Sequence, residues 1–183
     1  MSIFDKNLIK INVLVSDKEA LFEMMVEDFY QYGVIIENPT PFLQSYNPYR
    51  DIQGKTDNLH TSCGGQNEKI RPYDDFLTAI KTREMELSTG IGNGVAIPHA
   101  RHKSVKELKT NIYILSEELD FDALDGFPVK IVIMMAIPTE ANKEYMSKLG
   151  FITKALYKET NRNKLLASQS QDDVIKFFIN GQE

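Results

Sequence analysis

Ser88-Thr89-Gly90-Ile91-Gly92-Asn93-Gly94-Val95-Ala96-Ile97-Pro98-His99 is the stretch on which the reading of this chain turns. Residues 88–94 form a glycine-rich loop. Val95-Ala96-Ile97 is a short strand, and Pro98, which has no amide hydrogen to give a ladder, stops it just before His99. Upstream, a helix opens at Asp74 or Asp75, runs through Phe76, Leu77, Ile80 and Arg83/Glu84, and ends near Leu87.

The same alternation of helix and strand extends in both directions. Ile9, Ile11, Val13 and Val15 alternate with Lys10, Asn12 and Leu14, which predicts a strand over Leu8–Val15 with one dominant apolar face. Ser16-Asp17-Lys18-Glu19 has the form of a capping box and opens a helix over about Asp17–Tyr32. Its inner stripe is Leu21, Met25, Asp28/Phe29 and Tyr32, with Met24 beside it, and Gly33 ends it. Downstream, Asn111–Leu115 reads as a strand and Asp125-Gly126 as a turn. Phe127–Ile137 is nearly all apolar, as a central strand covered on both faces requires. Asn142–Lys158 is an amphipathic helix with Tyr145, Leu149, Ile152 and Leu156 on one face. Ser170-Gln171-Asp172-Asp173 caps a last helix bearing Val174, Phe177 and Phe178. Interleaved helices and strands place the chain in the α/β class.

Residues 38–72 break this rhythm. Four of the seven prolines fall there (Pro39, Pro41, Pro48, Pro72), with Gly54, Gly64 and Gly65, and no period persists. The segment is expected to be an insertion or long loop in a single domain spanning 1–183. At 183 residues, with a hydrophobic fraction of 42%, the chain can bury a substantial core. A net charge of −5 argues against a nucleic-acid partner, which needs a basic surface. No apolar run approaches a membrane span, so no direct membrane insertion is expected. Met1-Ser2-Ile3-Phe4-Asp5-Lys6 lacks the layout of a secretory signal. Cys63 is the only cysteine, so no internal disulfide can form. A cytoplasmic protein is the expectation.

Histidine is scarce: His60, His99 and His102. His99 follows a strand and a rigid proline, at the sheet end where sites on α/β folds gather. A neutral imidazole is a nucleophile near pH 7. The glycine loop can offer backbone amides to an anion, and Arg83 stands at the end of the helix before it. Nucleophile, anion donors and a guanidinium are what phosphoryl transfer requires. The residues alone leave other readings open. His99 can be a packed histidine, the loop a tight turn, and Arg83 a cation at a helix C-terminus. The loop is not the dinucleotide Gly-x-Gly-x-x-Gly and lacks the Gly-Lys-Ser/Thr of a nucleotide P-loop. A metal centre built from His99, His102, His60 and Cys63 matches no strong zinc spacing and would set Arg101 beside the ion. A serine hydrolase lacks its Gly-x-Ser-x-Gly.

The run Arg83-Glu84-Met85-Glu86-Leu87-Ser88-Thr89-Gly90-Ile91-Gly92-Asn93-Gly94-Val95-Ala96-Ile97-Pro98-His99-Ala100-Arg101 strongly resembles the signature of the fructose/mannitol-type enzyme IIA family. Asp120-Phe121-Asp122-Ala123-Leu124-Asp125-Gly126-Phe127-Pro128-Val129, with Ala136-Ile137-Pro138, is a second match, closest in phrasing to the nitrogen-regulatory branch. The resemblance implies the enzyme IIA mannitol-type fold, a three-layer α/β/α arrangement with a central mixed β-sheet. It implies that His99 is phosphorylated by the histidine phosphocarrier protein, or its nitrogen-branch counterpart. His99 would then pass the group to an enzyme IIB, or its phosphorylation state, or lack of it, would regulate a protein partner without onward transfer. It implies no metal and no organic cofactor. Arg83 would stabilise the phosphoryl group, and Ser88 and Thr89 would shape its pocket. Where the family carries a second histidine, this chain has Tyr145, whose hydroxyl can donate a hydrogen bond but carries no positive charge. Tyr145 is thus a possible accessory residue, equally readable as core packing, and His102 is a second candidate for that role.

Overall fold

The computed structural model describes residues 4–36 and 72–180. The segment expected as an insertion therefore lies, apart from Pro72, outside the described residues, as do His60 and Cys63. The described elements run β1 (Phe4–Val13), α1 (Lys18–Gln31), α2 (Pro72–Glu86), β2 (Gly90–Gly92), β3 (Val95–Ala96), β4 (His99–Arg101), β5 (Lys109–Leu119), β6 (Val129–Ile137), α3 (Asn142–Leu156), α4 (Glu159–Leu166) and α5 (Gln171–Asn180). The strands form one mixed sheet in the order β1-β5-β6-β3-β2, with β4 also on β6. β1 lies parallel to β5, β5 antiparallel to β6, and β3 and β4 parallel to β6.

Side-chain alternation on β6 divides the core in two. Val132, Met134 and Ala136 pack with Leu21, Phe22, Met25, Phe29, Phe76 and Ile80 of α1 and α2. Ile131, Ile133, Met135 and Ile137 pack with Ile152, Leu156, Leu165, Val174 and Phe178 of α3 to α5. The expected three-layer α/β/α architecture is what the chain adopts, and β6 is its doubly covered central strand.

Local chemistry departs from the sequence reading at four places. β1 has no single apolar face. Asn12 sits at φ 59°, and the pairing with β5 slips between Ile11 and Val13. This bulge turns the strand over, so Ile9 and Ile11 join the α3–α5 side and Val13 the α1–α2 side. The cap of α1 is Asp17, which accepts from the Ala20 amide at 2.8 Å, while Ser16 donates its hydroxyl to Asp17. Tyr32 and Met24 are exposed, and Phe22 and Val26 fill the inner stripe instead. The helix expected over 142–158 ends at Leu156, and a separate α4 follows. Asn161 and Arg162 of α4 donate to the carbonyls of Ala155, Leu156 and Tyr157, so the break is capped by side chains from the next helix. The Ser170–Asp173 box forms as expected, with reciprocal bonds between the two residues.

Candidate phosphoryl-transfer site

The glycine loop is a hairpin. Gly92, Asn93 and Gly94 all have positive φ, at 92°, 56° and 76°. The Asn-Gly pair makes the tight reversal, and β2 and β3 pair antiparallel across it. Its anchor is Glu84, a buried carboxylate on α2. Glu84 accepts from the Thr89 amide at 3.0 Å, from the Thr89 hydroxyl, and from the Ser88 hydroxyl at 3.1 Å. Lys18 reaches the same carboxylate at 3.4 Å, and also meets Asp122 at 2.9 Å. The Ser88 oxygen accepts from the Gly90 amide, and Asp125 accepts from the Asn93 amide at 2.7 Å. The amides of Thr89, Gly90 and Asn93 are therefore already engaged, and the expected open nest of donors is occupied by the protein's own carboxylates and hydroxyl. Thr89 turns its hydroxyl to Glu84, and the Ser88 hydroxyl lies between Glu84 at 3.1 Å and the Phe121 carbonyl at 2.9 Å, so both side chains are fixed.

The hairpin leads directly to His99. β3 and β4 share one register on β6, with Val95 opposite Ile131 and His99 opposite Met135. They are two halves of one strand, interrupted at Ile97-Pro98 and resumed at His99; the strand does not stop before the histidine. The Thr89 carbonyl accepts from the Ile97 amide at 2.9 Å, and the Ile97 carbonyl lies 2.8 Å from His99 Nδ1. A carbonyl only accepts, so Nδ1 carries the hydrogen and the neutral ring has its lone pair on Nε2. The imidazole is partly buried. Burial pushes its pKa below the ordinary 6.5, the Ile97 bond opposes this, and the charges of Arg83 and Arg101 push it further down against that of Glu84. The ring is thus neutral near pH 7.

Tyr145, on α3, is buried, with its ring centroid 5.6 Å from that of His99. Burial raises the pKa of its hydroxyl, opposed by the charges of Arg101 and Arg83, so it stays a hydrogen-bond donor. Arg83 donates to the Leu87 carbonyl at 2.8 Å, closing the end of α2, and its charge still acts on both His99 and Tyr145. The structure thus brings together His99, Arg83 and Tyr145 beside the Ser88–Thr89 turn. It does not bring His102. Successive strand residues alternate faces, and His102 turns to Ser104, 2.7 Å from its Nδ1, and to the Phe76 ring at 6.3 Å. Phe76 belongs to the α1–α2 side of the sheet, opposite the α3 side that holds Tyr145. Sequence reasoning passed over Arg101 as a site residue. It lies two residues beyond His99 on the same face of β4, and its guanidinium carbon stands 5.3 Å from the Tyr145 ring centroid. The period of two was the available signal. Among the described residues no group of three or more His, Cys, Asp or Glu could hold a metal. No described helix is long and apolar enough to cross a membrane.

Residues 53–181 match the family described as the phosphoenolpyruvate-dependent sugar phosphotransferase system, EIIA 2. The chain is 34% identical over 106 residues to the fructose-specific EIIA component of Haloferax volcanii, a match spanning 58% of this chain and 69% of that protein. It is also 34% identical over 108 residues to the nitrogen regulatory protein of Escherichia coli, spanning 58% and 66% of the two. Identity therefore does not separate the sugar-specific from the nitrogen-regulatory relatives. In fold, the chain superposes on nitrogen regulatory protein IIA-Ntr of Neisseria meningitidis with a TM-score of 0.73 at 23% identity, covering 96% of each chain. It superposes on a chain from the Escherichia coli complex of enzyme IIA-mannitol and phosphorylated enzyme IIB-mannitol with a TM-score of 0.68 at 16% identity, covering 97% of each. A family match over more than half the sequence, on a fold shared with solved enzyme IIA proteins, means that this chain belongs to the EIIA 2 family of the phosphoenolpyruvate-dependent sugar phosphotransferase system.

Proposed function

We propose that the chain is a phosphohistidine carrier in which Nε2 of His99 accepts a phosphoryl group from the histidine phosphocarrier protein and passes it to an enzyme IIB. The observation that carries this is the bond from Nδ1 to the Ile97 carbonyl, which leaves the lone pair on Nε2. As Nε2 attacks phosphorus, the donor's phosphorus–nitrogen bond breaks and the donor ring keeps that electron pair. Arg83 offsets the charge of the arriving phosphoryl oxygens. The Tyr145 hydroxyl donates to one of them. Ser88 and Thr89, locked on Glu84, shape the wall. His102, on the far face, takes no part. The phosphoryl group brings roughly −1.5 to −2 charges, enough to change how a partner surface is met.

A second reading has its own support. Tyr145 stands where the family's second histidine is expected, and nitrogen regulatory proteins are among the relatives. On that reading phosphorylation of His99 is a switch controlling a protein partner, without onward transfer.

Incubation with phosphoenolpyruvate and the general phosphotransfer proteins should give an acid-labile label that is absent from His99→Ala. A chase with an enzyme IIB should then remove it. A label that persists through the chase favours the switch, and a native protein that takes no label refutes the carrier and leaves only an interaction role without phosphorylation.

A further inference from the structure

Arg101 has features that the carrier chemistry described above leaves unused. It is exposed on the last residue of β4. Its side chain leaves the same face of the strand as His99, and its guanidinium lies over the ring of Tyr145. Tyr145 is itself against the His99 ring. Histidine, tyrosine and arginine thus form one row. No carboxylate among the described residues pairs with Arg101, whereas Lys10 and Lys81 each have one and Lys18 has two. Arg83, at the end of α2, acts on His99 through its charge, with one of its N–H groups spent on Leu87. A guanidinium resting on an aromatic face keeps its N–H edges free, and those edges fit phosphate oxygens two at a time.

We propose that Arg101, carried on the Tyr145 ring, is a second phosphoryl-binding cation of the His99 site, in addition to Arg83. This rests on the reading of His99 as the phosphorylated residue and adds a ligand to it. It also gives Tyr145 a task that histidine would not perform in the same way. The tyrosine ring is the platform for a permanent cation, and the pair supplies the positive charge that a tyrosine alone lacks.

The test uses the full chain and phosphoramidate, a small-molecule phosphoryl donor. Nε2 forms its bond to phosphorus as the phosphorus–nitrogen bond of phosphoramidate breaks and ammonia leaves. The lifetime of phospho-His99 is followed by 31P NMR in the native protein, Arg101→Gln, Arg101→Lys and Tyr145→Leu. Arg101→Gln should shorten that lifetime and slow acceptance by about tenfold, less than loss of a buried donor costs because the group is exposed. Tyr145→Leu should have a similar effect, and Arg101→Lys should recover part of both. The His99 pKa, read in the same samples before phosphorylation, should rise in Arg101→Gln and return in Arg101→Lys. A merely structural role for Arg101 would leave this charge signature unmoved. Native acceptance with unchanged lifetime, rate and pKa in Arg101→Gln overturns the proposal and leaves the carrier reading intact. A native protein that takes no phosphoryl group on His99 overturns both.

Discussion

The Ile97 carbonyl holds His99 through Nδ1 at 2.8 Å, so the ring is oriented by the backbone of the strand that delivers it. That strand is fixed in turn by the Thr89 carbonyl, and Thr89 by Glu84. A chain of four residues therefore runs from helix α2 to the nucleophile. Pro98, which has no amide hydrogen to give a ladder, sits at the interruption between β3 and β4.

Glu84 is the residue on which this chain depends. Glu84→Ala strips the buried Thr89 amide and hydroxyl of their acceptor and leaves Lys18 with Asp122 and the Phe121 carbonyl. We expect a loss of about 1–3 kcal/mol, read as a lower denaturation midpoint, with a smaller loss for Glu84→Gln, which keeps one acceptor oxygen. Phosphoryl acceptance should fall with the ordering of the turn. Native stability in Glu84→Ala would remove Glu84 from this role.

Stability should depend on pH through the two described histidines. Burial is the largest cause lowering the pKa of both His99 and His102 below 6.5. The unfolded chain then binds more protons than the folded one as pH falls through 6.5, so this contribution is complete above 6.5 and is lost toward the folded values below it. Urea midpoints measured from about pH 7.5 down to about 5 should decline, with His102→Gln flattening part of the slope. A midpoint that rises on acidification over that window would contradict the burial of these rings.

Two glycines should respond to alanine with opposite signs. A Cβ at Gly90 would lie 2.7 Å from the Ala123 Cβ and 2.8 Å from its Cα, so Gly90→Ala forces the 120–126 loop off the hairpin. A cost of roughly 1–3 kcal/mol follows. Gly150 lies in α3 with nothing within 4 Å of such a Cβ, and Gly150→Ala should stabilise by up to about 1 kcal/mol. Thermal midpoints of the two variants check both signs together.

These particular residues also explain what the sequence could and could not reveal. The apolar run ending at Ile137 announced a central strand because only burial on both faces tolerates it. Asn93-Gly94 carried a hairpin signal that the surrounding glycines obscured, and the segment read as a loop. The bulge at Asn12 depends on pairing with β5, which no local pattern encodes. The end of α3 is capped by side chains of α4, a contact between elements and not a Gly or Pro mark. At the site, His99, Arg83 and Tyr145, which the structure brings near one another, were candidates in the sequence, Tyr145 only through the family resemblance. The occupation of the loop amides by Glu84 and Asp125 was not legible, because it depends on which way two carboxylates turn in three dimensions.

The most direct test is to phosphorylate uniformly 15N-labelled protein and read the 31P–15N coupling. The account predicts a single phosphohistidine, coupled through Nε2 of His99, with Nδ1 still protonated toward the Ile97 carbonyl. Phosphorus on Nδ1, or on His102 in place of His99, would contradict it.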